Sequence, residues 1–146
     1  MKRLLFYWLP PIVWAAIVLS ASTERFSSAH SDLWLLTLSD LLKHPLATAT
    51  REMLNFFMRK GAHLFDYGLL AALTFRALRE GREPWNMRWA VQAIAVAAFV
   101  ASIDEIHQMF VPSRTGTWHD VVIDTAGAAV AQILIRAAQV LLFRPS

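Results

Sequence analysis

The chain has 146 residues, of which 56% are hydrophobic and 17% charged. Soluble domains carry about 25% charged residues, and a domain this small has too much surface to hide so large an apolar majority. Part of the chain therefore meets lipid, while disorder, a collagen repeat and a disulfide-rich scaffold are excluded. The net charge is +3 and the pI about 9.8. In a membrane protein such a basic excess reports the arginines and lysines that fix topology, and not a nucleic-acid partner. Cysteine is absent, which removes disulfides, thiolate nucleophiles and Cys-type zinc sites.

In chain order, residues 4–23 run without a charge behind Lys2 and Arg3, long enough to span the hydrocarbon core. The segment imitates a signal peptide, but it is longer than an ordinary apolar region of that kind and holds Pro10 and Pro11 at its centre. The two prolines predict a kink. Two apolar patches follow, at 33–42 and 49–58, separated by Pro45. Both are too short to span and read as interfacial helices, with Trp34 at headgroup depth. Residues 62–78 form a second span that carries His63, Asp66 and Arg76. A charged turn with Gly81 and Pro84 leads into a third span over 87–106. A polar loop with Pro112 and Gly116 precedes the fourth, at 121–143.

The expectation is an all-α single domain over 1–146, an antiparallel four-helix transmembrane bundle with short interfacial helices between helices 1 and 2. With both termini in the cytoplasm, Lys2, Arg3, Arg76, Arg79, Arg82, Arg88, Arg136 and Arg144 lie at the inner ends, as the positive-inside rule requires. All five histidines and nine of the eleven acids then fall on the outer side.

Ionisable residues at membrane depth are costly and face a bundle interior or a wet cavity. At about 100° per residue, Lys60, His63, Tyr67 and Thr74 share one face of the second helix, with Asp66 beside it. Asp104 and Gln108 are i,i+4 neighbours on the third helix, with Glu105 between them in angle. Asp120 and Asp124 are i,i+4 neighbours on the fourth, and Gly127 and Ala131 continue their stripe as small residues that admit close packing. Arg114, in the connecting loop, offers a bidentate clamp for an anion. The tryptophans read mostly as an aromatic belt.

Two blocks carry a resemblance: Arg59-Lys60-Gly61-Ala62-His63-Leu64-Phe65-Asp66-Tyr67-Gly68, and Asp104-Glu105-Ile106-His107-Gln108-Met109-Phe110-Val111-Pro112-Ser113-Arg114 continuing to Asp120-Val121-Val122-Ile123-Asp124-Thr125-Ala126-Gly127. They resemble the VanZ-like family of bacterial membrane proteins, over about residues 4–135. The family pattern is K-x-x-H-x-x-E-Y-G, D-E-x-x-Q-x-F-x-P-x-R and D-x-x-x-N-x-x-G. Asp66 stands where Glu is usual, and Asp124 where Asn is usual. The resemblance implies a four-helix protein of the bacterial cytoplasmic membrane and a link to resistance against teicoplanin, a lipid-bearing glycopeptide.

Three readings of the polar cluster follow. It is structural glue between helices. Or Lys60, His63 and Arg114 grip an anionic or lipid-linked cell-envelope ligand, oriented by the carboxylates. Or the site is a hydrolase or transferase, with His63 as base beside Asp104 or Glu105, or with carboxylates and His63 or His119 around Mg²⁺, Ca²⁺ or Mn²⁺. No nucleophile elbow or H-E-x-x-H is present, no cofactor is called for and no metal ligand is assigned. The ligand-binding reading takes Lys60, His63, Asp66, Tyr67, Asp104, Glu105, Gln108, Arg114, Asp120 and Asp124 as its residues and the lipid bilayer as its surroundings.

Overall fold

The computed structural model describes residues 2–21, 33, 36, 37, 39, 41, 47–82, 85–111 and 116–142. Trp34, Pro45 and Arg114 lie outside the described residues, as do His30 and His44. Four long helices make up the fold: α1 (Lys2–Ala21), α2 (Thr48–Arg79), α3 (Met87–Gln108) and α4 (Trp118–Leu142). Among the described residues there is no strand, so the expectation of an all-helical bundle holds. Residues 33, 36, 37, 39 and 41 are helical where they are described, with Leu33, Leu36 and Leu41 exposed.

By length and apolarity α1, α3 and α4 can each cross a membrane. α1 stays helical through Pro10 and Pro11. The patch at 49–58, expected as a separate interfacial helix, is continuous with the segment at 62–78 in one 32-residue helix. Gly61 is its only glycine before the buried part, and an isolated glycine costs a helix about 1 kcal/mol, too little to break one that packs further along. α2 ends where Glu80 (φ 48°) and Gly81 (φ 80°) turn left-handed. Asn86 caps α3 by accepting a hydrogen bond from the Arg88 backbone N–H at 2.8 Å.

Consecutive helices run antiparallel, yet the tightest pairing is between α2 and α4, which run parallel. Lys60 meets Asp120, His63 meets Asp124, and Gln132 donates to the Ala71 carbonyl at 3.1 Å, so both helices advance in the same direction. Glycines permit this approach. A Cβ at Gly127 would stand 2.5 Å from the Leu64 carbonyl oxygen, and one at Gly68 would stand 3.2 Å from the Gly127 oxygen. In lipid, where apolar surface alone does not drive helices together, such backbone proximity supplies the packing. α3 presents a stripe of Ala90, Ala93, Ala97 and Ala101, all buried, to its neighbours. Ala95, off this stripe, faces out.

α2, α3 and α4 thus pack against one another, and α1 rests on α2. Trp14 fixes that contact by donating its indole N–H to the Asp66 carbonyl at 3.0 Å. This tryptophan ties two helices, where the sequence reading had counted it in the aromatic belt. At the far end Arg3 donates to the Glu80 carbonyl at 3.0 Å, and the Arg76 guanidinium lies over Phe6 and Tyr7 at 4.7 and 5.1 Å from their centroids. The N-terminus of α1, the turn at Glu80 and Gly81, the start of α3 and the C-terminal part of α4 therefore share one end of the bundle. Arg3, Arg76, Arg79, Arg82, Arg88 and Arg136 make that end basic.

Candidate functional site

The other end is acidic. Three helices supply its side chains. Lys60, His63, Asp66 and Tyr67 come from α2, Asp104, Glu105 and Gln108 from α3, and Asp120 and Asp124 from α4. The alanine stripe of α3 runs directly into Asp104 and Glu105, so the helix face that is smallest along its length becomes charged at its end. α2 and α4 approach closely enough there, through Gly127, for their short polar side chains to touch.

The contacts form three groups. Lys60 pairs with Asp120 in a partly buried ion pair. Asp104 is buried; its Oδ2 accepts from the Tyr67 hydroxyl at 3.0 Å and from the Gln108 amide at 3.1 Å. Asp124 is wholly buried, at 0% exposure, and both its oxygens face His63 Nδ1, at 3.2 and 3.4 Å. Taking a carboxylate out of water costs several kcal/mol unless a partner compensates it, so each of these acids has one. The ring of His63 also stacks on Tyr67, with centroids 6.3 Å apart.

Glu105 departs from this pattern. It is 4% exposed. Its Oε2 accepts from the Thr117 backbone N–H at 2.8 Å, which pins the start of α4 to the end of α3. Its Oε1 is buried and has no hydrogen-bond partner among the described residues. Gly116 makes this arrangement possible, because a side chain there would collide with the Glu105 carbonyl oxygen and stand 3.0 Å from Met109 Cγ. One ligand-type atom each from His63, Glu105 and Asp124 lies within 4.8 Å of the other two.

The structure therefore gathers eight of the ten residues singled out in the sequence, in three groups. His63, Glu105 and Asp124 converge; Lys60 with Asp120, and Asp104 with Tyr67 and Gln108, close as local groups around them. The Asp66 carboxylate makes no hydrogen bond or ion pair among the described residues, and its contribution is the backbone carbonyl that holds Trp14. Arg114 lies outside the described residues. His119 is exposed and its ring lies 3.7 Å from that of Trp118, so it stands apart from the converging trio. The sequence reading missed Trp14 and the Thr117 amide. An indole on the neighbouring helix and a backbone donor after a glycine leave no trace in the spacing of charged residues.

Lys60 and His63 were expected to face an anion, yet each is taken up by an aspartate of α4. Asp124 is one of the two residues that depart from the family pattern quoted above, and it is the one that claims His63. Around the converging trio carboxylates outnumber cations among the described residues, with Asp66, Asp104, Glu105, Asp120 and Asp124 against Lys60 and His63 and with Arg59 preceding Lys60 on α2.

Three apolar helices long enough to cross a bilayer, packed around a fourth that carries charge inward, define an integral membrane protein with several spans. Residues 6–142 match the VanZ/LLP1 family, and the chain belongs to it. No solved structure matches the chain, and no curated protein does.

Proposed function

We propose that the protein recognises the polar headgroup of an anionic or lipid-linked cell-envelope molecule at its acidic end, on the extracytoplasmic face of the bacterial cytoplasmic membrane. One observation carries this reading. Buried ionisable groups from three different helices gather at a single end, and in membrane proteins such groups mark sites of function. Holding the helices together would need one pair, whereas here Glu105 is buried with an oxygen left unsatisfied. The orientation rests on the six arginines of the opposite end, which belong in the cytoplasm by the positive-inside rule. Such a site would let the chain contribute to tolerance of a lipid-bearing glycopeptide, as the family resemblance implies.

A structural reading is favoured by the Lys60–Asp120 and Tyr67–Asp104 contacts, which do join helices. Two readouts on the full chain test the proposal, the first its orientation and the second the choice between the two readings. A cysteine placed at Trp118, in a chain that has none, is expected to react with a membrane-impermeant maleimide on intact cells, whereas one placed at Arg82 is not. The purified chain in phosphatidylcholine nanodiscs is expected to retain a polyprenyl phosphate, with at least tenfold weaker retention in Glu105→Gln at equal protein recovery. Equal retention in the two proteins, or loss of the variant from the membrane, would favour the structural reading.

A further inference from the structure

We propose that His63, Glu105 and Asp124 form a binding site for one divalent transition-metal ion of the Mn²⁺ to Zn²⁺ range. The ion site stands on geometry; only its use against a headgroup rests on the function proposed above.

The donor set is one imidazole and two carboxylates, from three different helices. Imidazole favours zinc and the later transition ions, carboxylate favours manganese, and the mixture selects the divalent ions that accept both. Their ligand atoms lie within 4.8 Å of one another. A tetrahedral ion with ligands at about 2.1 Å spaces them about 3.4 Å apart, and His63 Nδ1 to Asp124 Oδ1 is already 3.2 Å. Glu105 supplies the third ligand atom, within 4.8 Å of the other two.

A second observation points to a ligand independently. Glu105 is 4% exposed and its Oε1 has no partner among the described residues. A buried carboxylate oxygen without a hydrogen bond is expensive, and the fold spends Gly116 and the Thr117 amide on keeping this side chain in place. A cation in the trio would satisfy it. Two of the neighbouring acids are already engaged, Asp104 by Tyr67 and Gln108 and Asp120 by Lys60. They hold the pocket's shape and add negative potential without competing for the ion. Access is from the His63 side, whose side chain is 19% exposed while that of Asp124 is 0%. Three protein ligands leave at least one coordination position open. The proton that His63 and Asp124 share leaves to solvent as the ion enters, because both must present lone pairs to it.

This site resolves the charge imbalance of the acidic end. With Lys60 and His63 each held by an aspartate, the carboxylates would repel an anionic headgroup. A divalent ion with an open position reverses the local charge and offers a phosphate oxygen a direct ligand site.

The experiment uses the full chain, purified in detergent and stripped with chelator. Mn²⁺ alone is titrated, with the free ion followed by electron paramagnetic resonance and Zn²⁺ added as competitor. One ion per chain is expected, displaced by Zn²⁺. Binding should weaken at least tenfold in the isosteric variants Asp124→Asn and Glu105→Gln and be unchanged in His119→Ala, with circular dichroism confirming that all are helical. Absence of binding in the unaltered chain overturns the site without reference to any variant, and equal binding in all four proteins overturns it too. The same preparations are then tested for retention of a polyprenyl phosphate with and without chelator. Retention that needs the ion supports the proposal in full. Retention by a chain that binds no Mn²⁺ overturns the ion site and leaves the headgroup reading standing; ion binding without any retention does the reverse.

Discussion

The two ends of the bundle handle charge in opposite ways. At the basic end the arginines lie outward, across aromatic rings. Arg76 covers Phe6 and Tyr7, Arg82 lies 5.3 Å from the centroid of Trp89, and Arg136 lies 4.7 Å from that of Trp85. At the acidic end Asp104, Glu105 and Asp124 point inward and are buried. The difference comes from side-chain length and hydration. A guanidinium on a long stem reaches the membrane surface while its stem and face rest on apolar groups. A short carboxylate on a spanning helix has no such reach, so it must find donors within the bundle. Charge of one sign therefore anchors the fold in the bilayer, and charge of the other builds an interior.

Three substitutions would break or sharpen that contrast. The largest effect is expected from Gly127→Val, at the α2–α4 approach that brings the acidic end together. Its new side chain would meet the Leu64 backbone at a position only 2.5 Å from the carbonyl oxygen. Overpacking against backbone costs about 1–3 kcal/mol or more, so the thermal midpoint of the detergent-purified protein should fall sharply. An unchanged midpoint would mean that α2 and α4 do not need this approach. Tyr67→Phe comes next. It leaves buried Asp104 with Gln108 as its remaining side-chain donor of the two found here, and the loss of such a bond costs about 1–3 kcal/mol. Chemical unfolding in mixed micelles measures it; a neutral result would mean that water replaces the hydroxyl and that the acidic end is wet. The smallest effect is expected from Arg136→Gln at the basic end, about 0.5–1 kcal/mol for an exposed guanidinium on a ring. A loss as large as that of Tyr67→Phe would show that the basic end, too, is part of the interior.

Much of this was legible in the sequence, and the part that was not has a physical cause. Angles along one helix placed Lys60, His63 and Tyr67 on a common face and Asp104 with Gln108 on another, and the structure has them facing their neighbours. The same angles gave Gly127 and Ala131 as a packing stripe, and Gly68 stacks on both. What single-helix geometry does not contain is the pairing between helices. His63 was read against Asp104 or Glu105 of the third span, whereas its hydrogen-bond partner is Asp124 of the fourth. That choice depends on α2 and α4 being the closest pair although α3 intervenes in the chain. The extent of α2 was likewise hidden, because the charged and apolar residues of 48–60 look interfacial and only their continuity with the packed part makes them one helix.

The parallel pairing of α2 with α4 has a consequence for how the protein is made. Synthesis delivers α1, α2 and α3 first, and none of them carries Asp120, Asp124 or Gly127. Until the fourth helix arrives, Lys60 and His63 lack the aspartates they meet in the finished protein, and Glu105 lacks the Thr117 amide. Assembly thus waits for α4: its arrival locks the three helices before it in register and completes the acidic end in the same movement. A ribosome that stops short of residue 120 would release three helices with their polar groups unmatched, a product that quality control can recognise by its exposed charge within the bilayer.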